Sequence, residues 1–441
     1  MGGGGEAEAP GYGALLRLAV PSVAFAVLTN AYRSVDQYWI KDVSTEAQAA
    51  IGASVFVLIL FYALFHLVSG GASPLVARAV GAGDMQRVRG VVGGAISGAL
   101  IIAVVVAVCG GLGAGWIAST LGLTGQTEVE CAAYIRVIAW TSLPLVFTPL
   151  VDQVFIAMGD ARLPMAMHAL SLALNIALTP VLIFDAGLGI EGAALASNLS
   201  RAVSTGIALW VLVRRVGLRW EDLGQWALLE KVCGLGLPVT VGVATYALVY
   251  WGMLKTSISP LGPHVNAALG IGFSALEGFV WPVFHGLSLA VGSFVGRHLG
   301  AGRPDLARAV VRRAVPLATA LGLAASVVFV VGGRLLTGLF TDDPRVHEAA
   351  TTYALLLAAS QPFVAWETLF EGTLNGAGET RVVFWISAPL NAIRIPLAWF
   401  LAFPMSMGAE GIWWAINITT YGKALAKALV VWRGRWARSA L

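Results

Sequence analysis

"LVARAVGAGD" (Leu75–Asp84) returns 219 residues later as "FVGRHLGAGR" (Phe294–Arg303), with five of its ten positions unchanged. The offset is close to half of the 441-residue chain. Other phrases keep the same spacing: "AMGDARLPM" (Ala157–Met165) aligns with "GAGETRVVF" (Gly376–Phe384), and "GIEGAALA" (Gly189–Ala196) with "GAEGIWWA" (Gly408–Ala415). Looser matches drift by two or three residues, "LAVP" ending at Pro21 with "LGLP" ending at Pro238, and "LNIALTP" from Leu174 with "LNAIRIP" from Leu390. Several independent phrases in one register amount to an internal duplication.

What is duplicated follows from composition. The chain is 58% hydrophobic and only 12% charged, where soluble domains carry about 25% charged residues. A bilayer-spanning helix needs about 20 mostly apolar residues. Such runs are expected at 14–38, 49–72, 91–115, 132–157, 164–184, 190–213, 232–257, 266–296, 309–331, 349–376, 382–403 and 409–432. The fold expected is therefore an all-α integral membrane protein of twelve transmembrane helices in two pseudo-symmetric six-helix lobes. The lobes divide at 1–213 and 232–441, joined by the linker 214–231, whose Trp220 and Trp226 suit a segment lying on the membrane surface. Six spans per unit give both halves one orientation, the pattern of transporters that rock two bundles around a central site.

Basic residues set the orientation. One set of loops holds Arg78, Arg87 and Arg89, then Arg162, then Arg214, Arg215, Arg219 and Lys231. It continues with Arg297, Arg303, Arg308, Arg312, Arg313 and Arg381, and ends in the tail with Arg433, Arg435 and Arg438. The alternate loops carry few basic residues and include the acidic "TDDPRVHE" (Thr341–Glu348). The positive-inside rule makes the basic set and both termini cytoplasmic, in a cytoplasmic (inner) membrane. "MGGGGEAEAPGYG" has no basic segment before its first apolar run, so no cleaved signal peptide is expected, and no myristoylation.

Soluble chemistries are poorly represented. Cys109, Cys131 and Cys233 are scattered, six histidines show no ligand spacing, and no nucleotide-binding or metalloprotease motif occurs. Glycine-rich "GGVVGGAISG" lacks a P-loop lysine, and close helix packing accounts for it better.

"VDQYWI" in span 1, "ARAVGAGD" after span 2, "VFIAMGDARLPM" after span 4, "GRHLGAG", "EGTLNGAGETR" and "GIWWAI" together resemble the multidrug and toxic compound extrusion (MATE) family. The resemblance covers essentially the whole chain. It implies two lobes forming a V around a central cavity, and drug export driven by inward flow of H+ or Na+. The first lobe is most similar to the DinF-like branch, in which a proline bends span 1, an Asp follows on the same helix, and an Asn precedes a second Asp on span 5. Pro21, as hinge, Asp36 and Asn175 match; the second Asp does not, its place being held by Thr179. Tyr134 matches a family tyrosine at the start of span 4, and Asp152 stands where that branch often has Asn. The ion-coupling candidates are thus Asp36, Asp152, Asn175, Tyr134 and Thr179. The partners implied are drug-like small molecules and membrane lipids, without nucleic acid; the coupling ion is H+ or Na+, no other cofactor is implied, and a monomer is expected.

The residues themselves point the same way. An ionisable side chain at bilayer depth costs roughly 2.5–3.5 kcal/mol on insertion scales, so each needs a reason. In the first half these are Asp36, Asp152 and His168, with Arg33 one turn before Asp36 and able to pair with it. The second half carries Lys255, Glu277, His285, Glu367, Glu371 and Arg394. Glu367 and Glu371 share one helix face and suit organic cations, or else pair internally with Arg394 or Lys255. Tyr246, Tyr250, Trp251 and Met253 on span 7, and Phe279, Trp281 and Phe284 on span 8, offer aromatic faces for flat cations. Substrate-binding candidates are accordingly Glu277, Glu367, Glu371, Tyr246, Tyr250 and Trp281. Two alternatives stand beside drug antiport: a lipid-linked oligosaccharide flippase, and a membrane-embedded transferase. The flippase needs several basic residues for a pyrophosphate, and no clustered catalytic constellation supports a transferase.

Overall fold

The computed structural model describes residues 12–40, 43–121, 125–338 and 344–438. The signal and acylation reading of the amino terminus, the Arg33–Asp36 pairing and the acidic Thr341–Asp343 lie outside the described residues and side chains.

Within them the chain forms twelve helical runs and no strand. In the first half, α1 spans Tyr12–Ile40, α2 Thr45–Gly81 and α3 Met85–Thr120. α4 is a pair of helices, Gln126–Trp140 and Leu143–Ala157; α5 spans Arg162–Asp185 and α6 Gly189–Val216. In the second half, α7 spans Trp226–Ile258, α8 runs over 263–300, and α9 spans Pro304–Gly338. α10 is again a pair, Pro344–Ala358 and Gln361–Gly376, followed by α11, Thr380–Ala402, and α12, Gly408–Arg433. Every expected span lies within one run to within a residue. Seven runs are long and apolar enough to cross a membrane, and the α4 pair makes an eighth. Large apolar side chains such as Val104, Leu112 and Trp116 on α3 and Val331 and Leu335 on α9 point outward, as lipid-facing surfaces do.

Spans 4 and 10 depart from the single helices expected. α4 bends by 57° between Trp140 and Leu143. Pro144 and Pro362 each open the second helix of their pair, where the missing N–H has no partner to lose.

The 219-residue register is written into the backbone. Gly83 (φ 73°) matches Gly302 (70°), Gly159 (89°) matches Gly378 (84°), and Gly189 (52°) matches Gly408 (57°). Glycine reaches this left-handed region without steric cost. The two phrases that carry the register therefore turn the chain between helices, and Asp84 caps α3 by accepting from the Arg87 N–H at 2.9 Å. Packing repeats too: α2 on α4, α4 on α6 and α5 on α6 have counterparts in α8 on α10, α10 on α12 and α11 on α12. Asn198 donates to the Ile138 carbonyl and Asn417 to that of Leu356, ties that match to within one residue of the register.

The helices gather into two compact units, one of Ala24–Val243, the other of the described residues up to Val23 and from Ala244 onward. Each cut falls inside a helix shortly after a proline, Pro21 in α1 and Pro238 in α7. In the first unit Asp222 of the linker and the first turn of α7 lie along the glycine face of α3. A side chain on Gly90 would meet Leu228, one on Gly93 the Asp222 carbonyl, and one on Gly98 the Leu229 side chain. Gly93→Val is therefore expected to destabilise the protein by about 1–3 kcal/mol. A lowered thermal midpoint in detergent checks this, with Gly206→Ala, which meets nothing within 4 Å, as the control whose midpoint should not fall.

Candidate functional site

Four helices bring the first polar cluster together. Asp36, near the end of α1, is buried and accepts hydrogen bonds from Ser197 Oγ of α6 at 3.0 and 3.3 Å. Asn175 of α5 donates from Nδ2 to Ser197 Oγ and to Thr179 Oγ1, both at 3.1 Å, and Thr179 donates back to the Asn175 carbonyl at 2.7 Å. Arg201 lies one turn beyond Ser197, interacts electrostatically with Asp36, and donates to Tyr62 Oη of α2 at 3.2 Å. Asp36, Asn175 and Thr179 are thus in one network, with Ser197 as its hub. Tyr134 is buried on α4. Asp152 belongs to a second cluster, where its Oδ2 lies 2.8 Å from His168 Nε2 of α5. Both side chains are buried and line a small polar cavity with Thr148, Ser171, Arg201 and Thr205.

The other unit also holds two clusters. Glu277 of α8 accepts from Tyr353 Oη of α10 at 2.6 Å. Arg394 of α11 donates to Tyr250 Oη at 3.2 Å and to Thr419 Oγ1 of α12 at 2.9 Å, and its guanidinium interacts with Glu277 electrostatically. Tyr246 packs against Tyr250, ring centroids 4.8 Å apart. Trp281 is not part of this cluster; it stacks on His285 at 4.7 Å and is half exposed.

Glu367 and Glu371 do not pair with Arg394 or Lys255. Their partners are two lysines of α12: Glu367 Oε1 lies 3.0 Å from Lys423 Nζ and 3.1 Å from Lys427 Nζ, and Glu371 Oε2 lies 2.5 Å from Lys427 Nζ. Arg394 is committed to Tyr250 and Thr419, and Lys255 is exposed with its ammonium over the Trp251 ring. The result is a four-charge ladder with both acids on one face of α10 and both bases on one face of α12. Lys427 is fully buried, whereas the Glu371 side chain is 41% exposed. Lys423, Lys427 and Arg201 escaped the sequence search. The signal was present, since "YGKALAKALV" repeats on α12 the i, i+4 spacing of the two glutamates.

A family model described as MatE matches this chain twice, over residues 21–181 and again over 239–400, together more than half of it. The chain is similar to a probable multidrug resistance protein NorM of Thermotoga maritima, 24% identical over 97% of this chain and 93% of the relative. A second probable NorM, from Bradyrhizobium diazoefficiens, is 28% identical over 92% and 90%. Among solved structures, a MOP superfamily transporter from Pyrococcus furiosus superposes with a TM-score of 0.90 at 20% identity, covering 97% of this chain and 96% of its own.

Proposed function

The chain belongs to the MatE family, and on that premise we propose that it is a multidrug efflux antiporter, exporting organic cations in exchange for protons by alternating access. Members of this family are transporters and not enzymes, which sets the transferase alternative aside. The observation that carries the proton reading is the composition of the Asp36 network. Asp36 is its one carboxylate among the described residues, its other members Ser197, Asn175 and Thr179 are neutral, and Arg201 already supplies a positive charge. A sodium ion would have to share that single carboxylate with a guanidinium that repels it. A proton cancels the Asp36 charge and asks for no further oxygen ligands.

The remaining assignments follow from this. Asp36 binds the coupling proton, and Asn175, Thr179 and Ser197 hold it in place. Pro21 lets α1 bend where a backbone hydrogen bond is missing. Glu371 is the most accessible acid of the ladder and, with Tyr246, Tyr250 and Glu277, recognises cationic substrates. The lysines of α12 are taken up by glutamates, which argues against a site for pyrophosphate-linked lipids. The protein sits as a monomer in the cytoplasmic membrane with both termini inside.

Cells expressing the protein are expected to retain less ethidium, and an uncoupler to restore retention; unchanged retention in both conditions contradicts drug export. Replacing Glu371 by Gln is expected to weaken binding of a cationic dye about tenfold, the loss of one charge-assisted contact. A neutral substrate should be unaffected, and equal losses for both would remove Glu371 from recognition.

A further inference from the structure

The duplication makes one difference between the halves unusually informative. Thr148, Asp152, Ser204 and Ala208 are the 219-residue counterparts of Glu367, Glu371, Lys423 and Lys427. In the second half those four positions close the space between α10 and α12 with ion pairs of 2.5–3.1 Å. In the first half three of the four are uncharged, and the corresponding space is the polar cavity between α4, α5 and α6. It is just roomy enough for water, far short of the several hundred Å3 of a drug site. Ser171, 2% exposed, lines it with a hydroxyl that meets no hydrogen-bond partner among the described residues.

The acid retained here, Asp152, faces an imidazole at 2.8 Å instead of an ammonium, and an imidazole has two ring nitrogens, one able to accept a proton while the other donates. Position along the helices is also ordered. His168 lies about 9 Å from the start of α5 at Arg162, and Asn175 about 10 Å deeper, at 1.5 Å per residue. On α6 the order is Ser197, Arg201, then Ser204 and Thr205, running toward Arg214 and Arg215. The cavity therefore lies between the Asp36 network and the basic end of the unit. The charged and titratable groups lining it are Asp152 from α4, His168 from α5 and Arg201 from α6, with Tyr62 of α2 bonded to Arg201.

We propose that Asp152 and His168 form a proton-relay station through which a proton bound at Asp36 leaves toward the Arg162 end of the lobe. The relay rests on the proton-coupled function proposed above. The proton departs from the Asp36 carboxyl, crosses the cavity by water and the Ser171 hydroxyl, and binds the His168 imidazole. The imidazolium so formed is paired with the Asp152 carboxylate. Release to water at the basic end restores neutral His168, leaving Asp36 ionised and hydrogen-bonded by Ser197. Arg201 keeps its charge throughout and passes no proton on.

Reconstituted vesicles separate a relay from a structural role by two assays, dye export driven by a pH gradient and dye–dye exchange without one. In His168→Gln, gradient-driven export should fall about tenfold or more while exchange, which moves no net proton, stays within about twofold of wild type. Asp152→Asn, which keeps a hydrogen bond to His168, should show the same split. Equal loss in both assays, or no loss in either, overturns the relay. The wild-type protein run alongside tests the underlying function separately: no gradient-driven export there contradicts proton coupling itself.

Discussion

Replacing Asp36 by Asn should abolish export driven by a pH gradient, lowering the rate by about a hundredfold or more, as loss of a positioned proton acceptor does. Asparagine has nearly the shape of aspartate, and its carbonyl can still accept from Ser197, which donates to Asp36 at 3.0 Å. The network with Asn175 and Thr179 therefore stays connected, and the protein should be made and purified normally. What is lost is the ability to alternate between a charged and a neutral state beside Arg201. Dye–dye exchange should persist, because the two substrate-loaded states no longer differ in protonation. Gradient-driven transport at the wild-type rate would remove Asp36 from the mechanism.

The second large effect is on stability. Lys427 is fully buried and holds both glutamates of α10, Glu367 at 3.1 Å and Glu371 at 2.5 Å. Removing one partner of a fully buried ion pair costs about 3–5 kcal/mol; here Glu367 keeps Lys423 and the Glu371 side chain is 41% exposed, so about 1–3 kcal/mol is expected. Lys427→Met keeps most of the volume and should therefore still unfold at lower temperature or denaturant concentration than wild type. Adding Glu371→Gln removes the carboxylate left without its lysine, while Glu367 keeps Lys423, so the double variant should recover part of the loss. The non-additivity of this cycle measures the coupling between the two residues directly. Additive effects would mean that the ladder contributes by packing and not by charge.

Much of the fold was legible in the sequence, and the reason is physical. A bilayer demands long apolar helices, and such runs leave a strong trace in composition. Repeated phrases then set the register, because positions such as Gly83 and Gly302 need a left-handed backbone that glycine reaches at no cost. The breaks in α4 and α10 were harder to see. The interruptions are only two polar residues long, Thr141–Ser142 and Ser360–Gln361, each followed within two residues by the proline of the new helix, Pro144 and Pro362, and apolar residues resume at once.

At the site, the acids could be found one by one, because a carboxylate stands out in an apolar run. Their partners could not. Lys423 and Lys427 sit near the basic end of α12 and resemble interfacial anchors, yet their side chains turn inward to α10. Arg201 is set in "SNLSRAVSTG", a small polar stretch whose inward face is decided by packing against α4 and α5. The contrast between the halves was visible only as a mismatch, Asp36 against Lys255. The more telling one is Ser204 and Ala208 against Lys423 and Lys427, where one half is bridged by two lysines and the other keeps an aspartate–histidine pair beside a cavity.

Proton coupling is tested most directly by ethidium transport in proteoliposomes under gradients imposed one at a time. A pH gradient alone should drive export, and a sodium gradient alone at equal pH should not. Sodium-driven export without any response to the pH gradient would contradict the single-carboxylate mechanism built on Asp36 and Arg201.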